Sequence, residues 1–262
     1  MEDKMDLGFK GRVALITGTA NKRGYGYGIA TYMAKEGCDI INIDWDGDGV
    51  KIITDEIKAM GRKSIGIKCD VSSIPEVDAM IKTAIAEFGK IDILVNNAST
   101  STVLKPFLET TKAEFDKLIS INLWGAMNVT RVVAPHMVAR KYGRIVNITG
   151  GQGGATISLY GAAKAGVDSF TRSIAAELLP YGIIANAVHP GLGDTGLNAL
   201  GRGGRYLTKE EHEKAAQMFG LKRFCTGEDM GPMVAFLASD VCSYLVGQTI
   251  SMTGGAPQMK FP

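Results

Sequence analysis

Tyr160 and Lys164 stand four residues apart in Y-G-A-A-K. The pattern from Ser158 to Leu179 predicts a helix, so the phenol and the ammonium share a face. Such a pair suits proton transfer to or from an oxygen, as when an alcohol loses its hydroxyl proton while hydride departs. A free phenol has a pKa of about 10, too high for an efficient base near neutrality. A neighbouring ammonium, and a positively charged oxidised nicotinamide, both favour phenolate and are expected to lower that value. In the reverse direction the phenol is the acid.

A second group of residues suits a phosphate. The stretch T-G-T-A-N-K-R-G-Y-G-Y-G-I-A runs from Thr17 to Ala30 directly after an apolar segment. A glycine-rich turn between strand and helix lets backbone approach a pyrophosphate, which the helix N-terminus stabilises. Gly18, Gly24 and Gly26 are the candidates for that approach. Asp44 closes the next apolar run. A carboxylate there accepts both ribose hydroxyls of NAD and repels a 2′-phosphate. Arg23, beside Gly24, is the one feature that suits NADP. Asp44 would sit directly against the ribose, so NAD is favoured over NADP.

These groups need a scaffold. Short apolar runs at 12–17, 39–43, 64–69, 91–95, 144–148, 183–188 and 248–252 read as strands. Helical patterns separate them at 28–35, 50–60, 74–88, 111–140 (one helix or two) and 158–179. Strands apolar on both faces and separated by helices imply a parallel sheet covered on both sides. The right-handed crossover rule then favours a doubly wound open sheet. The expected fold is α/β: a single Rossmann-type domain over 1–262, with about seven parallel strands and helices on both faces.

The 262 residues are 45% hydrophobic and 21% charged, with a formal net charge of +2. This balance points to neither nucleic acid nor a membrane as partner. Cys38, Cys69, Cys225 and Cys242 form no C-x-x-C pair, and there are only three histidines, so no metal site is expected. They read as free thiols of a reducing compartment. The first ten residues carry charges and no apolar core of a signal peptide. A cytoplasmic location is the expectation.

In order along the chain, the glycine loop, Asp70-Val71, N-N-A at 96–98, I-N-L around Asn122, R-I-V-N-I at 144–148, Y-G-A-A-K at 160–164, P-G-x-x-x-T at 190–195 and a late T-G-G resemble the short-chain dehydrogenase/reductase family. The likeness covers nearly the whole chain. It implies that Tyr160 and Lys164 are catalytic and also meet the cofactor. It further implies that Asp70 and Val71 hold the adenine, Asn97 and Ala98 line the ribose channel, and Thr195 meets the nicotinamide amide. Asn122 would help carry a proton relay through water to Lys164. Family members usually assemble as tetramers or dimers, so a homo-oligomer is expected.

Two departures stand out. The family places a serine just after the fifth strand to hold the substrate oxygen, but here that slot is Gly150, and the loop to Tyr160 is about three residues short. Thr149 or Ser158 would then supply the hydroxyl, or backbone of Gly150 to Gly154 would hold the substrate. Alternatively the site is impaired, and the chain serves as a non-catalytic partner in a hetero-oligomer with an active homologue. Losing one such donor costs on the order of 10²–10³ in rate, which weakens an enzyme without abolishing it. The second departure is five residues between Gly18 and Gly24, where the family usually has three. That longer loop resembles the enoyl-acyl carrier reductases, yet those separate tyrosine and lysine by six residues. The spacing here favours carbonyl and alcohol chemistry.

The region 191–225 corresponds to the family's substrate lid. It holds Arg202 and Arg205 in G-R-G-G-R, then Lys222 and Arg223. Arginines suit carboxylates and phosphates, so an anionic or coenzyme A-linked small molecule is one expected substrate; a solvated basic lid is the plainer reading. Trp45 and Trp124 read as packing residues, Trp45 on the adenine side.

Overall fold

The apolar runs become seven strands: β1 (Val13–Thr17), β2 (Asp39–Asp44), β3 (Ser64–Lys68), β4 (Ile93–Asn96), β5 (Gly143–Ile148), β6 (Ile183–Pro190) and β7 (Thr249–Met252). In the computed structural model, which describes residues 5–151 and 154–255, they form one sheet in the order β3-β2-β1-β4-β5-β6-β7. Every pairing is parallel.

Successive side chains along a strand face opposite sides. Ala14 and Ile16 of β1 therefore enter one core with α1 (Tyr25–Lys35), α2 (Gly47–Ala59) and α9 (Gly227–Ala238). Val13 and Leu15 enter the other, with α3 (Ile74–Phe88), α5 (Gly125–Arg140) and α6 (Ser158–Leu178). Full burial of each such aliphatic side chain contributes ~1.5–3 kcal/mol. That is why these strands read as unbroken apolar runs. From β1 the chain winds outward to β2 on one side and later to β4 on the other, so the order reverses between β1 and β4. Ligands of open parallel sheets bind outside the strand ends at such a switch point.

The stretch 111–140 resolves into α4 (Lys112–Ile119), a five-residue π-helical turn (Ser120–Trp124) and α5. Such turns insert a residue into the helical register, and Asn122 lies buried within this one. The region 191–225 contains α7 (Gly196–Gly201) and α8 (Lys209–Ala216), the latter opened by a Thr208–Glu211 capping box. The sequence reading assigned no helix to 227–238. Gly231 and Pro232 inside α9 weaken its helical signal. A Thr226–Asp229 capping box and packing against α1 form it nonetheless.

The two tryptophans correct an expectation. Trp45 and Trp124 are 74% and 55% exposed, so neither packs in the core. Trp45 follows the last residue of β2, beyond the sheet, and Trp124 ends the π-helical turn. Among the described residues, no helix is long and apolar enough to cross a membrane, and no three of His, Cys, Asp and Glu gather as a metal site would require.

Candidate active site

The glycine loop leaves the end of β1 at the switch point. Gly18 has a φ of +75°, and a Cβ there would lie 2.8 Å from the Ala98 Cα, so the turn needs glycine on both counts. Thr17 and Asn97 pin it down. Thr17 Oγ1 accepts from the amides of Asn97 and Ala98 at 3.0 and 2.9 Å. Asn97 Nδ2 donates to the carbonyls of Thr17 and Gly18 at 2.9 and 3.0 Å. The Asn97 amide thus shapes the loop, and Ala98 is its backing. A Cβ on Gly26 would strike the Gly18 carbonyl.

Behind the loop, α1 begins with Gly24 as N-cap and no side-chain cap. Its first turn presents backbone N–H groups and the positive end of the helix dipole, the donor set a pyrophosphate needs. Asp44 stands beside it, buried at the tip of β2, accepting from the amides of Ala20 at 2.9 Å and Asp46 at 3.1 Å. Burial raises its pKa, and these backbone bonds oppose the rise. Uncapped helix, glycine turn and clamped carboxylate together fit a dinucleotide.

Asp70 and Val71 form the turn after β3. Asp70 accepts from Ser72 N and Oγ at 2.9 and 2.7 Å, and the buried Val71 is held through its carbonyl by Asn128 at 3.1 Å. Thr195 is the buried N-cap of α7. Arg23 does not stand free for a 2′-phosphate. Its guanidinium bonds the buried Asp194 at 2.5 Å and stacks over Tyr206 at 4.1 Å.

Tyr160 and Lys164 lie on the first two turns of α6, beside the end of β5. Lys164 is 2% exposed, and its Nζ donates to the Ile148 carbonyl at 3.0 Å. The ammonium lies 5.8 Å from the centre of the Tyr160 ring. Burial drives the Lys164 pKa down to about 8. Burial also pushes the Tyr160 phenol up to about 12, partly offset by the nearby Ser99 side chain. The expected fall in the phenol pKa is therefore not a property of the chain alone. Desolvation of the phenolate outweighs the neighbouring groups. In front of the phenol lies a cleft walled by Ser101, Val103, Leu104, Leu118 and Ile157.

Asn122 reaches the same place from the π-helical turn. Its Oδ1 accepts from Ser99 Oγ and from the Thr100 amide, both at 2.8 Å, and its Nδ2 donates to the Thr100 carbonyl at 2.9 Å. The side chain is thus a clamp on the loop after β4.

The serine slot is filled as counted. A Cβ on Gly150 would lie 3.4 Å from the Tyr160 hydroxyl, but the φ there is +142°, a region that favours glycine. Thr149 is buried, with its Oγ1 donating to the Val188 carbonyl at 3.2 Å. Ser158 is exposed at the start of α6. Of the backbone stretch 150–154, Gln152 and Gly153 lie outside the described residues.

The arginines of the region 191–225 are already paired. Arg202 bonds Asp194 at 2.6 Å, Arg205 bonds Glu211 at 2.6 Å, and Arg223 bonds Asp229 at 2.6 Å. In this arrangement an anionic substrate must displace a carboxylate to reach them. The sequence reading missed Asp194, Tyr206 and Ser99. Only Ser99, directly after N-N-A, carried a local signal.

A family model described as enoyl-(acyl carrier protein) reductase matches residues 18–257. The 3-oxoacyl-[acyl-carrier-protein] reductase FabG of Staphylococcus epidermidis is 36% identical over 246 residues, covering 92% of this chain and 97% of that protein. The (2S)-[(R)-hydroxy(phenyl)methyl]succinyl-CoA dehydrogenase subunit BbsD of Thauera aromatica is 37% identical over 256 residues, covering 95% and 98%. A solved 3-ketoacyl-(acyl-carrier-protein) reductase from Brucella melitensis, complexed with NADH, superposes with a TM-score of 0.84 at 29% identity, covering 95% of this chain and 99% of that one. With the glycine turn, the Tyr160–Lys164 pair and the sheet order in place, the chain belongs to the short-chain dehydrogenase/reductase family of oxidoreductases.

Proposed function

We propose that this chain is an NAD-dependent oxidoreductase interconverting a secondary alcohol and a ketone on an acyl chain carried by coenzyme A or a similar thioester. The observation that carries the reading is the Tyr160 phenol, set against the buried Lys164 at the strand ends where the uncapped α1 and Asp44 also open. A bound nicotinamide supplies the hydride acceptor or donor. In oxidation, Tyr160 as phenolate takes the hydroxyl proton while the C–H electron pair leaves as hydride and the carbonyl forms. In reduction, the phenol returns the proton to the carbonyl oxygen. Asp44 supports NAD, since a second negative charge at a 2′-phosphate would meet it across a short, poorly solvated gap. Arg23, held by Asp194, is not free to offset that repulsion. The names of the Staphylococcus and Thauera relatives support the thioester class. The enoyl reductase reading is weaker, because a phenol–ammonium pair one helical turn apart suits proton transfer at an alcohol oxygen.

The test is NADH formation by the purified chain over secondary alcohols and hydroxyacyl-coenzyme A thioesters, with Tyr160→Phe as control. Turnover that disappears in the variant is expected; turnover of enoyl thioesters alone would refute the reading. Asp44→Asn should narrow the preference for NAD over NADP by ten- to a hundred-fold, about 1.5–3 kcal/mol for a charged hydrogen-bonding group. We also propose a homo-oligomer. Exposed Phe107, Leu108, Phe115 and Trp124 around α4 offer an apolar face for it. The second reading, a subunit paired with a related chain, draws on Gly150 in the serine slot and on the Thauera relative being named a subunit. Inactivity alone, with turnover restored by such a partner, would favour it.

A further inference from the structure

The cleft in front of Tyr160 holds a charge that the alcohol chemistry does not require. Hydroxyl and apolar side chains make up most of its walls. Lys105 is the one charged group among the described residues that line it, and no carboxylate stands among them to oppose it. Arg202, Arg205 and Arg223, the cations that the sequence offered for an anionic substrate, lie outside this lining. We propose that Lys105 is the anion-recognising residue of the cleft, and that it selects a hydroxyacyl thioester whose acyl chain ends in a second, free carboxylate. The proposal rests on the oxidoreductase reading for the reaction at Tyr160, and adds what the site holds at the far end of the acyl chain.

Lys105 is both held in place and able to change partner. The amide of Leu104 donates to the Gly201 carbonyl at 3.1 Å, and on the other side Pro106 leads into the helical turn Phe107–Glu109. The backbone that carries the lysine is thus fixed on both flanks, which lowers the ordering cost of binding. Its Nζ lies 2.8 Å from Glu114 Oε2, with both side chains 25% exposed. A pair so open to water holds weakly. Glu114 does not depend on it. The same oxygen accepts from the amide and the hydroxyl of Thr111, both at 2.8 Å, in the capping box of α4. The ammonium, with three donors, can therefore turn to a substrate carboxylate without leaving a buried group unpaired. The hydroxyls of Thr102 and Ser158 also line the cleft and make no hydrogen bond among the described residues, so they can donate to the same anion. Hydrogen bonds to an ionised oxygen are stronger than those to a neutral one. A chain ending in a methyl group forgoes them all.

Two thioesters test this without turnover. 3-Hydroxyglutaryl-coenzyme A ends in a carboxylate, and 3-hydroxypentanoyl-coenzyme A ends in a methyl group on a chain of the same length. Both bear the same carrier phosphates. Their affinities for the NADH-loaded protein, in which the alcohol finds no hydride acceptor, are read by calorimetry. The wild type should bind the carboxylated thioester roughly ten-fold more tightly or better. In Lys105→Met that affinity should fall by about ten- to a hundred-fold, and in Lys105→Arg it should return. Affinity for the methyl-ended thioester should stay within about two-fold in both variants. Equal wild-type affinities for the two thioesters, or a carboxylate preference that survives Lys105→Met, overturn the proposal. An equal fall for both would put the lysine on the carrier's phosphates, and overturns it as well. A carboxylate preference lost in Lys105→Met, in a chain that oxidises neither thioester with NAD, leaves Lys105 as the anion-recognising residue and removes the proposed function instead.

Discussion

Lys164 gives the sharpest quantitative prediction. Burial alone lowers its pKa from 10.5 to about 8, and it is 2% exposed, so solvent screening is small. At pH 7, below both values, the ammonium is carried into the fold at a cost of about 3 kcal/mol, because each pH unit between the two pKa values is worth ~1.4 kcal/mol. Between pH 8 and 10.5 the unfolded chain binds a proton that the folded chain has released. Stability there rises with pH by ~1.4 kcal/mol per unit. Lys164→Met removes the charge and keeps the volume. It also leaves the Ile148 carbonyl without its donor, a loss of ~1–3 kcal/mol. The net at pH 7 is a gain of about 1 kcal/mol, or 2–4 °C in Tm for a chain of this size, in a protein with no alcohol turnover. The cleaner quantity is the difference in urea unfolding free energy between the cofactor-free wild type and the variant at pH 7.5 and at pH 9.5. The carbonyl term cancels in that comparison, and the wild type should gain about 2 kcal/mol on the variant. Parallel pH profiles would show that the ammonium is solvated in the fold, and the argument from burial would fail.

Gly28→Ala places a Cβ against the Gly227 backbone on α9. The helix gains about 1 kcal/mol in propensity, but a backbone neighbour does not yield as a flexible side chain does. The overlap should prevail with a loss of ~1–3 kcal/mol and weaker NADH binding, read by thermal melting and fluorescence titration. Asp92 is fully buried, accepting from Val13 at 2.9 Å, Arg140 at 2.5 Å and Lys90 at 2.9 Å. Burial pushes its pKa up, but these partners outweigh that and hold it below the ordinary 3.8. Its contribution is present above that value and is lost as pH falls through the lower native one. Asp92→Asn should cost roughly 3–5 kcal/mol at pH 7 and should flatten the acid limb of the stability curve; unchanged urea midpoints would refute the pairing.

The sheet was legible because its strands are apolar on both faces, and a run such as Val13–Thr17 carries that signal locally. The Tyr160–Lys164 pair and Asp44 were legible because helical spacing and a strand end also lie in local sequence. The lid was not. Arg23 and Asp194 are 171 positions apart, and no local pattern tells a free arginine from one neutralised at that separation. The helix α9 was missed because Gly231 and Pro232 dilute its pattern while its neighbour α1 supplies what propensity does not. Ser99 was overlooked because its bond goes to Asn122, a residue of another element.

The close passage of Gly28 against Gly227 also bears on biosynthesis. A Cβ on Gly227 would lie 2.8 Å from the Gly28 Cα, so the two helices touch backbone to backbone just behind the phosphate turn. The glycines of that turn leave the ribosome well before α9, which carries much of the surface that seats α1. Contacts of such separation close late, after the loop entropy of the intervening chain has been overcome. A nascent chain therefore carries the sequence of the glycine turn long before it has its shape. That turn stays without its backing until α9 is released.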